Sequence, residues 1–264
     1  MSDAYPITPP PTQDDLPYDD DEVMETTRHR LQMELLIETL EPHLQQRPGG
    51  GYVGGNMFVY FSPTQVRHQD YKGPDFFAVL DVPARERKSW VVWEEGKGPD
   101  VVIELLSPST TETDKTHKKR VYETQLRVAE YYWFDPFDPE DCAGFLLQGN
   151  HYTPLQADAE GNFHSRVLGL RLTRWSGRYH DTEAVWLRWA DADGNILPTG
   201  REQADAAEEQ ARAAEEQARI AGQQARDAEQ RAIAAQGQIA EERRRVEQLA
   251  AKLRALGLDP EADG

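Results

Sequence analysis

The chain has 264 residues, a formal net charge of −18 and a single cysteine. This length fits one full domain with an appendage, and one cysteine excludes an internal disulfide framework or a multi-cysteine zinc site. The acidity excludes a protein that holds nucleic acid through bulk positive charge, so any action on DNA must depend on a local site. No apolar run approaches the roughly 20 residues of a membrane span. We therefore expect a cytoplasmic protein with no membrane partner.

The first 22 residues differ in composition from the rest of the chain. They contain five prolines, seven acidic residues and no Lys or Arg. Such a segment buries too little apolar surface to offset the entropy of ordering its backbone. We expect a disordered leader over residues 1–22, with an interaction tail as the alternative.

Residues 23–198 predict one domain of mixed α and β structure. A helix carrying Leu31, Leu35, Leu36 and Leu40 opens it, with Pro42 near the helix end. After Gly144, short alternating segments separated by turn signals predict antiparallel strands. This order of elements is typical of an α+β fold. Between these parts we expect strands at 57–61, 76–82, 90–93, 101–106 and 131–134, and a helix at about 114–126.

The strand at 101–106 carries one charged residue. Its six residues are apolar except for Glu104, which lies between Ile103 and Leu105. An unpaired buried carboxylate is strongly unfavourable, so Glu104 needs a cation, a metal or a proton. The alternatives are a glutamate at the solvated end of the strand, or one paired with an arginine.

Two aspartates follow a Gly-Pro pair at the start of a predicted strand, Asp75 and Asp100. Asp100 and Glu104 share a face of one strand but lie roughly 13 Å apart along it, too far to hold one metal ion. Asp75 belongs to another strand and can lie beside Glu104 at the ~4.8 Å spacing of neighbouring strands. Two such carboxylates form a hard-oxygen site suited to Mg²⁺ or Mn²⁺. Asp75 and Glu104 are therefore the predicted metal ligands, and Asp100 is expected to close a turn.

The next helix supplies a cation. Asp114, Lys118 and Tyr122 are spaced i, i+4 and i+8 and share one helix face. Lys118 on this face can lie over the end of the Glu104 strand, where it would orient an attacking water and offset charge on a scissile phosphate. The alternative is an Asp114–Lys118 surface pair worth roughly 0.2–0.5 kcal/mol.

These segments together resemble a known family. Asp75, the stretch 102–110 (VIELLSPST), the Asp114–Lys118–Tyr122 face and the stretch 130–136 (EYYWFDP) are similar to the Uma-type putative restriction endonucleases of the PD-(D/E)XK nuclease superfamily. The likeness spans about residues 25–190 and includes the stretches 54–63 and 89–95.

The resemblance implies a restriction-endonuclease-like mixed sheet flanked by helices, with a divalent metal, Mg²⁺ or Mn²⁺, at Asp75 and Glu104. The lysine that the superfamily places two residues after the second acid is Leu106 here. Lys118 is the matching position on the following helix, with Lys119 as the fallback. The expected catalytic residues are thus Asp75, Glu104 and Lys118 in an endonuclease that hydrolyses DNA. The alternative is a catalytically inactive nuclease-fold interaction module that oligomerises through its coiled coil, with the helical tail recruiting partners.

Other side chains around this site have predicted roles. His29 is expected to be a core or capping histidine, Cys142 to be structural, and Trp175, Trp186 and Trp189 to pack rather than to stack on bases. A small phosphate-binding rim is predicted from the cations that cluster in the sequence around the predicted site: Arg85, Arg87, Lys88, Lys115, Lys118, Lys119 and Arg120.

Residues 199–257 predict a long helix, followed by a disordered tail at 258–264. From Ala204 to Leu256 apolar residues recur at the a and d positions of a heptad, with Glu242 as the one polar exception. The larger members Ile239, Val246, Leu249, Leu253 and Leu256 would anchor a coiled coil, and we expect a homodimer through 204–256. The alternative is a single solvated helix, which the helix propensity of alanine favours.

Overall fold

The structure is a computed structural model that describes residues 9–18, 26–63 and 70–255. The chain divides into two compact units, Met1–Arg201 and Glu202–Gly264. The predicted tail at 258–264, Leu256 of the heptad pattern and parts of the predicted leader lie outside the described residues.

The first unit begins with helix α1, Thr27–Gln45. Thr26 caps it, because the Thr26 hydroxyl oxygen accepts a hydrogen bond from the His29 amide. The predicted leucines are buried along one face, and Pro42 lies in the last turn. Helix α1 therefore presents an apolar face to the sheets that follow.

The described strands form three sheets. Their bounds are β1 Gly51–Gly54, β2 Val59–Tyr60, β3 Tyr71–Lys72, β4 Phe76–Leu80, β5 Trp90–Val91, β6 Val101–Leu105, β7 Glu130–Phe134, β8 Cys142–Gln148, β9 His151–Pro154, β10 Phe163–Ser165, β11 Leu170–Tyr179 and β12 Thr182–Ala190. The main sheet has the order β1-β4-β6-β7-β8-β9, and the smaller sheets have the orders β10-β11-β12 and β3-β2-β5. The β6–β7 pair is parallel and the other pairs of the main sheet are antiparallel. This mixed sheet with flanking helices confirms the predicted fold class.

Strand β6 lies in the middle of the main sheet, and all five of its side chains are buried. Ile103 packs in the core on the side of α1 and the β10–β12 sheet. Val102 packs in the core on the opposite side with Tyr122 and Tyr131. Since side chains alternate along a strand, Glu104 faces the same way as Val102.

The helix after β6 covers this second face. It is helix α3, which is α-helical at Thr111–Thr113, π-helical at Asp114–Lys118, α-helical at Lys119–Val121 and π-helical at Tyr122–Leu126. It begins about one turn before the predicted start. π-Turns inside helices are often found at functional sites.

Two sequence predictions about this unit were wrong. The predicted strand at 90–93 ends at Val91, because Val92–Glu95 forms the short helix α2 that Gly96 ends in a left-handed conformation. The predicted leader contains an ordered part, in which Leu16 is buried against the aromatic side chains of Phe58 and Tyr60.

Hydrogen bonds explain why residues 11–18 are ordered despite their acid and proline content. The Trp93 indole donates to the Pro11 carbonyl at 2.8 Å, and the Tyr60 hydroxyl donates to the Pro17 carbonyl at 2.5 Å. Asp14 also pairs with Lys88 at 2.8 Å. The composition of the segment did not indicate that its single leucine, Leu16, packs in this aromatic cluster.

Helix α4, Gly200–Ala255, has 56 residues, none of them buried, and all but its first two residues belong to the second unit. Its largest exposed apolar side chains include Val246 (62 % exposed) and Leu249 (54 %). Within the described part of the chain, no helix is long and apolar enough to cross a membrane.

Candidate active site

The register of β4 and β6 brings Asp75 next to Glu104. Phe77 pairs with Val102 and Phe76 with Ile103, so Asp75 comes opposite Glu104 one step further along. The Asp75 amide lies 3.4 Å from Glu104 Oε2. Asp75 Oδ2 accepts a hydrogen bond from the Leu105 amide at 2.7 Å. Asp75 is only partly buried, so this member of the pair is accessible to solvent.

Glu104 is fully buried, and each of its oxygens has a donor. Oε1 accepts from the Tyr122 hydroxyl at 2.6 Å, and Oε2 accepts from Lys118 Nζ at 3.1 Å. Burial raises the pKa of Glu104 to about 7, and the nearby charge of Asp75 adds to this rise while Lys118 and Tyr122 oppose it. Burial likewise raises the pKa of Asp75.

Lys118 lies between two carboxylates. Its Nζ is 2.9 Å from Asp114 Oδ1 and 3.1 Å from Glu104 Oε2, and 20 % of its side chain is exposed. Burial alone would lower the pKa of Lys118, but Glu104 and Asp114 together raise it above its usual range. The Asp114–Lys118 pair considered from the sequence does form, but Asp114 is fully buried, so it is not a surface pair.

The site has more negative than positive charge. Asp75, Glu104 and Asp114 surround the ammonium of Lys118, and burial raises the pKa of each of the three carboxyls. A divalent cation would balance this excess. Mg²⁺ is commonly held by one or two carboxylates together with waters and substrate phosphates, so Asp75 and Glu104 fit such an ion. Among the described residues, no group of three or more His, Cys, Asp or Glu side chains is placed to hold a metal.

Leu106 cannot supply the amine that the family pattern would place at its position. It is buried, its amide donates to the Phe134 carbonyl, and its carbonyl accepts from His29 Nε2 at 2.9 Å. His29 is thus a buried histidine that also bonds the helix cap residue Thr26 through Nδ1, as predicted for a core or capping histidine.

Asp100, which was expected to close the turn into β6, bonds a residue of the neighbouring strand and a nearby lysine. Its Oδ2 accepts from the Leu80 amide at 2.7 Å and from Lys97 Nζ at 2.8 Å. The aspartate therefore joins the start of β6 to the end of β4 and takes no part in the Asp75–Glu104 contact.

The predicted cationic rim does not hold for residues 85–88. The Arg87 guanidinium donates to both oxygens of Glu95 and lies over the ring of Tyr52. Tyr52 pairs with Val79 of β4, which is four residues from Asp75 in the sequence. Arg85 shares Glu95, so one carboxylate pairs with both arginines. Sequence proximity could not show these pairings.

The cationic side chains of α3 have different partners. Lys115 pairs with Asp141 at 2.5 Å. Lys119 Nζ lies 3.4 Å from the centre of the Phe145 ring, so Lys118 rather than Lys119 approaches Glu104. Arg120 is exposed.

Two contributors to the site escaped the sequence reasoning. The sequence placed Tyr122 on the same helix face as Lys118 but did not predict the hydrogen bond from its hydroxyl to Glu104. The i, i+8 spacing from Asp114 was the signal from which that bond could have been predicted. Lys72 precedes Asp75 by three residues and is partly buried; burial and Lys118 lower its pKa, and Glu104 opposes this. The three tryptophans pack as predicted, with Trp186 and Trp189 fully buried.

A buried glutamate, a neighbouring aspartate and a lysine from the next helix thus meet at the end of a central strand of a mixed α/β fold. The model of the Uma2 family, described as "Putative restriction endonuclease", matches residues 4–176. This is more than half of the chain, and the chain belongs to that family.

The chain is also similar to a solved structure of a "putative nuclease belonging to DUF820" from Anabaena variabilis. The two are 16 % identical, with a TM-score of 0.40 over 57 % of this chain and 87 % of that one. No curated protein matches this chain.

Proposed function

We propose that this protein is a metal-dependent endonuclease that hydrolyses DNA phosphodiester bonds. Asp75 and Glu104 would hold Mg²⁺ or Mn²⁺, and Lys118 would position the attacking water. The observation that carries the proposal is the contact of Lys118 Nζ with Glu104 Oε2 at 3.1 Å, beside the partly exposed Asp75.

The chain's own residues prepare the reaction. Tyr122 holds one oxygen of Glu104, which leaves the other directed toward Asp75 and Lys118. Because its carboxylate neighbours raise its pKa, Lys118 stays an ammonium at neutral pH. It can therefore donate a hydrogen bond to water or to a phosphate oxygen, but it cannot act as a base.

A bound divalent ion would lower the pKa of a coordinated water and shield the charge of the phosphate. Hydrolysis adds a water, which Lys118 would position, across one P–O bond and gives a phosphate monoester and a free hydroxyl. DNA is the proposed substrate because the chain belongs to a family described as "Putative restriction endonuclease".

Plasmid nicking in Mg²⁺ tests the proposal. Lys118→Ala should lower the rate by about a hundredfold or more, the usual effect of removing one donor to a transition state. Lys119→Ala is the matched control, since it removes the same charge from the adjacent residue, whose ammonium lies over Phe145 and not beside Glu104. Equal rates for the two variants, or nicking that continues in EDTA, would refute the assignment.

A second candidate function is an inactive nuclease-fold module that recruits partners. The pairing of Arg87 with Glu95 and of Lys115 with Asp141 favours it, because these cations are not available to a phosphate backbone. Wild-type protein that cleaves neither DNA nor RNA in Mg²⁺ or Mn²⁺ would support this candidate.

We also propose that helix α4 joins two copies of the chain. The support is its exposed apolar seam at the a and d positions. Light scattering of the full chain and of a chain that lacks residues 201–264 measures the molecular mass in solution. The full chain should have twice the mass of one copy, and the shortened chain the mass of a single copy.

A further inference from the structure

The seam of α4 is uneven along its length. Its first half is alanine at every a and d position, whereas its second half exposes Ile239 (55 %), Val246 (62 %), Leu249 (54 %) and Leu253 (38 %). In a parallel pair the alanines would face alanines and the large side chains would face each other. In an antiparallel pair each large side chain would meet a small one, so the two helices could keep one separation along the whole seam.

The charge of α4 is also uneven. Residues 201–230 carry eight acids and four bases, whereas residues 231–255 carry three acids and six bases. The first half is thus net negative and the second half net positive. A parallel copy sets like halves side by side, whereas an antiparallel copy sets each half against its opposite.

Glu242 gives a third, independent argument. It is the one charged residue at a d position of the described helix. In a parallel pair in register, residues at d face their own copies, so two glutamates would meet in the seam. In an antiparallel pair the same residue faces the alanine half of the partner helix.

We infer that helix α4 pairs with the α4 of a second copy in the antiparallel direction. This inference rests on the self-association proposed above and adds its direction. A helix of 56 residues is about 84 Å long at 1.5 Å per residue. The two Gly200 ends would therefore lie at opposite ends of the pair.

Distances between spin labels test the direction in the full chain. The lone cysteine is first replaced by Cys142→Ser, and one label is then placed through Glu209→Cys or Gln230→Cys. Both positions are exposed and lie off the seam, so the pairing surface stays intact. In an antiparallel pair centred on the middle of α4, the helix rise places the labels at 209 about 55 Å apart along the pair axis and the labels at 230 only about 8 Å apart along it, so the distance at 230 is short and set by the width of the pair.

Each outcome is decisive. A short distance at 230 with a long one at 209 supports the inference. Short distances at both positions overturn the direction but keep the self-association. No distance at 230, together with a monomer mass, overturns both.

Discussion

The buried carboxyl of Glu104 makes the stability of the metal-free protein depend on pH. Burial raises its pKa from 4.5 to about 7, so the folded state binds this proton more tightly than the unfolded chain does. The resulting stabilisation is fully present below pH 4.5 and is lost as the pH rises through about 7. Linkage over this shift gives a loss of about 2 kcal/mol between pH 5.5 and pH 8.

Urea unfolding in EDTA at these two pH values measures the effect. Glu104→Gln keeps the shape and an oxygen acceptor but does not titrate, and its comparison with wild type cancels the other groups. The free energy of unfolding of wild type, relative to that of the variant, should fall by about 2 kcal/mol from pH 5.5 to pH 8. The same difference at both pH values would refute the reasoning that burial holds Glu104 partly protonated.

Three further predictions concern single side chains. Tyr122→Phe removes the hydroxyl that lowers the pKa of Glu104. The Mg²⁺ concentration for half-maximal cleavage should therefore rise at pH 7 and return toward the wild-type concentration at pH 8.5. An equal rise at the two pH values would contradict this role. Leu16→Ala should lower the free energy of unfolding by about 2–3 kcal/mol in urea, because it empties a buried site among aromatic rings, and an unchanged midpoint would show that residues 11–18 add no stability. Burial raises the pKa of the Cys142 thiol to about 12, so a thiol reagent at pH 8 should react far more slowly with the folded protein than in urea, and equal rates would contradict its burial.

The sequence predicted the parts of the site that depend on strand and helix periodicity. One charged residue in an apolar strand pointed to Glu104, and the repeated Gly-Pro-Asp pattern offered Asp75 beside it. Because strand spacing and helix spacing are fixed by backbone geometry, the approach of Asp75 and Lys118 to Glu104 could be foreseen.

The sequence could not show which of several similar charged side chains would contact a given partner. Arg87 was expected at a phosphate rim, but it binds Glu95, eight residues along the chain, because α2 brings that acid to it. Lys119 differed from Lys118 only by its direction around α3, which the π-helical turns help to set. Leu16 was overlooked since one leucine does not change the composition of an acidic, proline-rich segment.

The most direct test of the proposed centre compares two aspartates that share a Gly-Pro-Asp sequence. Asp75→Asn and Asp100→Asn make the same chemical change, but only Asp75 lies beside Glu104, whereas Asp100 bonds Leu80 and Lys97. In Mg²⁺-dependent plasmid nicking, Asp75→Asn should lose at least a hundredfold in rate, on the order of one essential transition-state contact, while folded Asp100→Asn should cleave within a few-fold of wild type. Nicking by Asp75→Asn at the wild-type rate would contradict a metal-dependent reaction at Asp75, Glu104 and Lys118.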